Sequence, residues 1–384
     1  MDQSAFELPE ATRELREVAL GFARDALAPH ALEWDQARHF PVEEMRAAAA
    51  LGMAALYVRE ESGGAGLTRL DAAVVFEALA MGCPTVSAYL SIHNMVAWMI
   101  DRFGNDAQRA QWLPDLIPMR KVASYALTEP GSGSDAAALR TRAVRDGGHY
   151  VLDGSKQFIS GAGASDLYLT MVRTGGDGPG GVSALLVPQE TPGLSFGANE
   201  RKMGWNAQPT RSVIFDGARV PAAALLGEEG QGFRFAMAGL DGGRLNIAAC
   251  SLGGAQAAVD KALAYVQERR AFGKAIADFQ NTQFRLADMQ TELEASRTLL
   301  WRACAKLDAK APDATAFCAM AKRFVTDTCH KVADDALQLL GGYGYLAEYG
   351  IEKIVRDLRV HRILEGTNEV MRLIIARSML GKCV

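Results

Sequence analysis

Two glycine segments are the first candidates for chemistry. Gly131-Ser-Gly133-Ser-Asp-Ala136 and Gly342-Tyr-Gly344-Tyr-Leu-Ala347 both match G-x-G-x-x-A, a pattern that lets backbone approach a pyrophosphate when a strand precedes it and a helix follows. Neither has that setting. The first follows Pro130 and enters β-rich sequence, and the second follows a helical pattern. A dinucleotide fold of the Rossmann kind is therefore not expected. Gly273-Lys274 is followed by Ala275, so no phosphate loop of the G-x-x-x-x-G-K-[ST] type is formed. Cys83, Cys250, Cys304, Cys318, Cys329 and Cys383 contain no C-x-x-C pair. Reduced core thiols are expected, with no metal site and no disulfide framework. Asp241 and Arg244 are three residues apart and share a face if their segment is helical.

The elements that must position these groups are legible in composition. Of 38 glycines, 22 lie in residues 123–243, so the middle should be turn-rich and the flanks helical. Leu15, Val18, Ala19, Phe22 and Ala26 form one helical stripe. Leu286, Met289, Leu293 and Leu300 form a second, and Phe317, Met320 and Phe324 a third. Glu60–Leu67 and Gly341–Gly350 break the pattern with glycines. In the middle, β-rich runs occur at His149–Leu152, Leu167–Val172, Val182–Val187 and Ser212–Phe215. The dipeptides Gly147-Gly148, Asp153-Gly154, Asp177-Gly178 and Asp216-Gly217 are expected to turn between strands. No long helical pattern separates the runs, so an antiparallel sheet or barrel is expected rather than a parallel one.

The chain has 384 residues, with 41 Lys plus Arg against 45 Asp plus Glu, a net charge of −4. That balance gives no electrostatic footprint for nucleic acid. The Ala-rich stretch Ala47–Val58 is too short to span a bilayer, so no membrane segment is expected. MDQSAFELPE carries neither a basic region nor an apolar signal core. A cytoplasmic location is expected, or the mitochondrial matrix in a eukaryote.

Three separated groups of residues stand out together. The first is Tyr125-Ala-Leu-Thr-Glu-Pro-Gly-Ser-Gly-Ser-Asp135 with Gly154-Ser-Lys-Gln-Phe-Ile-Ser-Gly161. The second is Asp241-Gly-Gly-Arg244 with Arg269-Arg-Ala-Phe-Gly273. The third is Gln338-Leu-Leu-Gly-Gly342 with His361-Arg-Ile-Leu-Glu-Gly-Thr-Asn-Glu369. With these residues the chain resembles the acyl-CoA dehydrogenase family, along nearly its whole length and in the family's order and spacing. The resemblance implies a mainly α fold with a middle β domain: an N-terminal helical domain over 1–122, a β-barrel-like domain over 123–238 and a C-terminal four-helix bundle over 239–384. It also implies FAD, a CoA thioester substrate, electron-transferring flavoprotein as acceptor, and a homotetramer built as a dimer of dimers.

The residues to which it assigns roles can be read beside their plain alternatives. Tyr125, Leu127 and Thr128 would meet the polar edge of the flavin ring, Ser160 its N5, and Phe158 its face, where many relatives carry Trp. Alternatively Thr128 and Ser160 cap turns and Phe158 is core. Ser134 would lie near the pantetheine and phosphates of CoA, or be an ordinary loop serine. Asp241 and Arg244 would reach the CoA moiety, or form a surface ion pair. Arg269, Phe272 and Gln280 match positions that reach a neighbouring subunit's FAD. Ala271 stands where many relatives have Thr, so one possible phosphate bond is missing. Gln338, Gly341 and Gly342 match the segment on the adenosine diphosphate part; the alternatives are a solvated Arg269 and a helix-ending glycine pair. Thr367 and Glu369 match further FAD positions, or Thr367 simply caps a helix.

The implied reaction is α,β-dehydrogenation: a carboxylate removes the α-proton while the β-hydrogen leaves as hydride to flavin N5. Relatives place the base at one of two sites, matched here by Glu365 and by Gly243. Gly243 cannot serve, which leaves Glu365, followed by Gly366 on the substrate side. The alternative is a carboxylate placed near a helix N-terminus by the dipole. A narrower resemblance is carried by Ser91-Ile-His-Asn-Met95, Gly204-Trp-Asn-Ala-Gln-Pro-Thr-Arg211, Gly242-Gly-Arg-Leu-Asn-Ile-Ala248 and Ile363–Arg372. It points to the branch that oxidises isobutyryl-CoA to methacrylyl-CoA in valine breakdown. Asp241 departs from that branch, which often carries Asn. Butyryl-CoA and 2-methylbutyryl-CoA stay open as substrates, as does an oxidase or monooxygenase on the same scaffold.

Overall fold

The computed structural model describes residues 7–381. The segment MDQSAF and Cys383 lie outside the described residues. Helix α1 (Glu10–Phe22) continues into a π turn (Ala23–Leu27) and is followed by α2 (Ala31–Ala37), α3 (Val42–Ala50), α4 (Arg69–Gly82), α5 (Pro84–Phe103) and α6 (Asp106–Leu116). Local chemistry sets these boundaries. Thr68 and Asp71 form a reciprocal capping box at α4, Asn105 and Gln108 another at α6, and Pro84 occupies the first turn of α5. On α1 the expected stripe shifts at its end: Ala23 and Leu27 are buried and Ala26 is not. The wider π turn admits an extra residue and rotates the inward face.

The middle of the chain forms one eight-stranded sheet from β1 (Ala123–Ala126), β2 (Arg142–Asp146), β3 (His149–Ser160), β4 (Leu167–Arg173), β5 (Val182–Pro188), β6 (Leu194–Phe196), β7 (Thr210–Pro221) and β8 (Leu225–Leu226). The order is β6-β7-β3-β2-β4-β5-β8, with β1 beside β4. Pairing is antiparallel apart from β1 on β4 and one β2–β4 residue pair. The strand β1 arrives from α6 rather than through a hairpin, so nothing forces it to run antiparallel. Side chains alternate between two apolar cores. Leu167, Leu169 and Met171 join Val182, Ala184 and Leu186 against the helices, whereas Tyr168, Val172, Leu185 and Val187 join Tyr150, Phe215 and Val220 within the curl of the sheet. Burial on both faces explains why β4 and β5 read as unbroken apolar runs.

Gly147-Gly148 and Asp177-Gly178 turn between strands as expected. Asp153-Gly154 and Asp216-Gly217 do not. Both lie inside long strands, at an irregularity of the β3–β7 ladder where the Gly217 N–H donates to Asp153 Oδ1 at 2.9 Å. Glycine with positive φ serves a bulge as readily as a hairpin.

The last part is helical: α7 (Gly232–Glu268), a small hairpin of β9 (Arg270–Ala271) and β10 (Lys274–Ala275), α8 (Gln280–Asp308), α9 (Ala314–Leu339), α10 (Ile351–Arg359) and α11 (Asn368–Met379). The long helices α7, α8 and α9 pack together, and the short α10 and α11 complete the bundle against α9. Gly253 lets α4 come close: a Cβ there would run into the Glu77 carbonyl. The α9 stripe read from Phe317, Met320 and Phe324 is only partly buried. The deep face is instead Cys318, Ala321, Lys322, Val325 and Cys329. Small residues are what close helix packing requires, and the bulky ones cover its rim.

Candidate active site

Glu365 sits in the turn that joins α10 to α11. It and Gly366 both take positive φ, 57° and 89°. Left-handed backbone is uncommon for a carboxylate residue and needs outside support. Several groups supply it. The Arg244 Nε–H donates to the Glu365 carbonyl at 3.3 Å, Lys322 Nζ donates to the Gly366 carbonyl at 2.7 Å, and Thr367 caps α11 by accepting from the Val370 N–H. Upstream, Trp205 Nε1–H donates to His361 Nε2 at 3.1 Å, so the His361 proton is on Nδ1, which lies 2.7 Å from Ser251 Oγ. Burial holds the His361 imidazole neutral, with its pKa pushed down to about 3.

The Glu365 Oε2 atom is buried and has no hydrogen-bond partner among the described residues. Burial raises the carboxyl to about 7, while Arg244 and Lys322 pull it back. Such a group is ionisable near neutrality and free to accept a proton. The Asp241–Arg244 pair is no surface pair. Its ions are 2.6 Å apart, Arg244 is 4% exposed, and the other Asp241 oxygen accepts from Thr315 Oγ1 at 2.7 Å. Arg244 therefore belongs to the surroundings of Glu365.

A second group comes from the sheet. Tyr125 lies on β1 with Leu127 and Thr128 just beyond it, and Phe158 and Ser160 end β3. The Gln157 N–H donates to the Thr128 carbonyl at 2.8 Å, and Ser124 Oγ donates to the Ser160 carbonyl at 2.6 Å. These bonds tie the two segments together. The β3–β7 register shifts between Lys156 and Ile159, and Phe158 takes φ 59°. That bulge leaves Phe158 63% exposed, against its plain reading as core. Beneath them Lys156 Nζ lies 2.7 Å from Glu129 Oε1 and donates to the Leu127 carbonyl at 3.1 Å. Glu129 also accepts from the Arg140 and Thr141 N–H groups.

A third group lies where α7 and α9 end. Arg269, Gln338, Gly341 and Gly342 line one cavity of about 400 Å³ with Tyr265 and Tyr343. Its lining includes none of Thr128, Phe158, Ser160 or Glu365. Phe272 is 95% exposed at the tip of the β9–β10 hairpin, and Gln280 is exposed at the start of α8. Glu369 is exposed in the first turn of α11. Beyond the exposed Ser134, a cavity of about 770 Å³ is lined by Asp135, Arg140, Arg142 and Arg173, among others. Cys83, Cys250, Cys304, Cys318 and Cys329 are buried free thiols. Among the described residues no three His, Cys, Asp or Glu side chains cluster as metal ligands, and no helix is long and apolar enough to cross a membrane.

Three family models cover these same elements: the N-terminal domain of acyl-CoA dehydrogenase over residues 9–120, the middle domain over 124–218 and the C-terminal domain over 230–380. The chain belongs to the acyl-CoA dehydrogenase family. Bovine mitochondrial isobutyryl-CoA dehydrogenase is 54% identical over 97% of this chain and 90% of its own length. The structure of butyryl-CoA dehydrogenase from Megasphaera elsdenii superposes with a TM-score of 0.95 at 36% identity, covering 99% of this chain and all of that one. PigA, solved with FAD and proline, superposes at 0.94 and 32% identity over 99% of each chain.

The acyl-CoA dehydrogenase site fits a flavin on its own evidence. Tyr125 Oη and Gln208 Oε1 are buried without partners among the described residues, and Gln208 Nε2 donates to Ser160 Oγ at 3.2 Å. Unpaired buried polar atoms beside an exposed aromatic suit a planar ligand with polar edges. Lys322, Lys156, Glu129 and Gln208 are among the site residues to which the sequence reading gave no role. Lys156 and Glu129 stood within quoted segments. For Lys322 the only signal is a charge among the small residues of α9.

Proposed function

We propose that this protein catalyses FAD-dependent α,β-dehydrogenation of a short α-branched acyl-CoA, isobutyryl-CoA to methacrylyl-CoA, as a step of valine breakdown. The observation that carries the chemistry is Glu365: a carboxylate with a buried, unpaired oxygen, facing the only other family position for a base, where this chain has glycine. The likeness to bovine isobutyryl-CoA dehydrogenase supports the branch. Desolvation of the Glu365 carboxyl raises its basicity, so it takes the α-proton near neutral pH. The Glu365 N–H has no partner among the described residues and is free to polarise the thioester carbonyl. Bound FAD supplies the acceptor for the β-hydride.

Thr128, Ser160 and Tyr125 would hold the ring edge, with Leu127 beside them and Phe158 on its face. Arg269, Gln338, Gly341 and Gly342, with Phe272 and Gln280, would hold the adenosine diphosphate end across a subunit contact. Thr367 and Glu369 would add to that hold. Ser134, Asp241 and Gly366 would line the CoA path, and the Arg-lined cavity beyond Ser134 suits its phosphates. Electron-transferring flavoprotein as acceptor, a dimer-of-dimers tetramer, and division into units 1–122, 123–238 and 239–384 complete the reading.

The test is the visible spectrum under anaerobic titration with isobutyryl-CoA and, in parallel, butyryl-CoA. Bleaching that favours isobutyryl-CoA is expected. A yellow protein that bleaches only with butyryl-CoA overturns the branch, and one that bleaches with no thioester overturns the reaction. Rapid peroxide formation in air would make it an oxidase.

A further inference from the structure

Lys322 is fully buried on α9, yet it forms no salt bridge among the described residues. Its two bonds go to neutral oxygens: the Gly366 carbonyl at 2.7 Å and Asn368 Oδ1 at 2.9 Å. Taking an ammonium out of water for two neutral acceptors is unfavourable for stability alone. Those acceptors flank the base turn. Asn368 is itself fixed, since its Nδ2 donates to Thr326 Oγ1 at 3.0 Å and to Asp327 Oδ1 at 2.9 Å. Arg244 holds the carbonyl of residue 365 and Lys322 that of residue 366, so successive carbonyls of the left-handed turn are gripped from two different helices.

We propose that Lys322 is a positioning residue for the base: it pins the Gly366 carbonyl, fixes the turn that presents the Glu365 carboxylate, and places a positive charge behind it. This rests on the reading of Glu365 as base. The charged and titratable groups facing the pair are Arg244 and Asp241 from α7, Asp327 from α9, Glu369 from α11, His361 from the preceding turn, Tyr125 from β1 and Tyr57 from the segment between α3 and α4; both tyrosines stay neutral across the range, since burial pushes their hydroxyls up. Burial lowers the Lys322 ammonium to about 7 and the Glu365 charge pulls it up. The two therefore titrate as a pair.

The experiment compares FAD-loaded wild type, Lys322→Met, Lys322→Arg and Asn368→Ala. The rate of anaerobic flavin bleaching is followed from about pH 6 to pH 9, and thermal unfolding is measured over the same range. Lys322→Met is expected to lower kcat by about tenfold to a hundredfold with little change in KM. Its rising pH limb should move up by about one unit, since a lost cation disfavours the carboxylate. Lys322→Arg should bring the limb back. Asn368→Ala, which keeps both cations, should slow bleaching by about threefold to tenfold without moving the limb. Full flavin content with unchanged rate and unchanged limb in Lys322→Met overturns the proposal. If that variant does not fold, an unchanged rate in Asn368→Ala overturns it. A wild type that bleaches with no thioester defeats the functional reading instead. The clamp is then judged by the pH dependence of unfolding, which must shift upward in Lys322→Met and overturns it if it does not.

Discussion

A Cβ built on Gly243 would lie 2.8 Å from Glu365 Cδ and closer still to Oε2, so the carboxyl occupies the space that a side chain at 243 would need. The two positions to which the family resemblance assigns a base, 243 and 365, converge on one place in this structure. A bare glycine on α7 and a glutamate on the facing turn are complementary, and each makes sense of the other. The first prediction follows. Gly243→Ala should fold, since its helix tolerates alanine, but displace the carboxyl and lower turnover by about a hundredfold or more. Steady-state kinetics on flavin-replete protein checks this.

Glu365→Gln should keep FAD and acyl-CoA and lose turnover by about a hundredfold to ten-thousandfold, the range for removing a general base. The same substitution bears on stability. The carboxyl lies at about 7 in the fold against 4.5 as its ordinary value. Between those values the folded state binds more protons than the unfolded one, so wild-type stability falls as pH rises through the window. The amide cannot ionise. Glu365→Gln should therefore be more stable than wild type at pH 8, by at most about 3 kcal/mol, and should lose that advantage below pH 5. Thermal unfolding at both values decides it.

The helix–sheet–helix order and four strand positions were legible because they are written in periodicity and glycine density; Glu365 stood out only through the short segments that carry the family resemblance. The errors have physical causes. Asp153-Gly154 and Asp216-Gly217 carry turn chemistry, but a ladder nine residue pairs long absorbs them as bulges. Periodicity also ranks bulky residues above small ones, so Phe317 and Met320 outshone the deeper Cys318 and Ala321. Lys322 and the depth of the Asp241–Arg244 pair depend on which helices meet, and one sequence does not say that.

Lys156 and Glu129 form a buried pair, with Lys156 fully buried and Glu129 7% exposed. Lys156→Met leaves Glu129 charged without its counterion, a change that costs about 3–5 kcal/mol. Because Lys156 also holds the Leu127 carbonyl, the variant should purify with less flavin as well as a lower Tm. A lower Tm with full flavin content would separate the pair from the ring-edge segment.

Arg269 is exposed on the rim of the cavity it shares with Gln338, Gly341 and Gly342, its guanidinium 5.3 Å from the Tyr343 ring centroid. In the single chain it forms no salt bridge with a carboxylate among the described residues. A planar fork held against an aromatic face and left open on its other side is suited to pyrophosphate. Arg269→Ala should weaken FAD retention, by about tenfold or more in Kd if the guanidinium makes a charge-assisted pair. Arg269→Lys should restore only part of that, because an ammonium lacks the bidentate geometry. The loss should shrink at high salt, where the wild-type contact is itself screened. The ratio of flavin to protein absorbance after gel filtration, at low and high salt, measures all three. Equal flavin content in wild type and Arg269→Ala would take Arg269 out of the cofactor site.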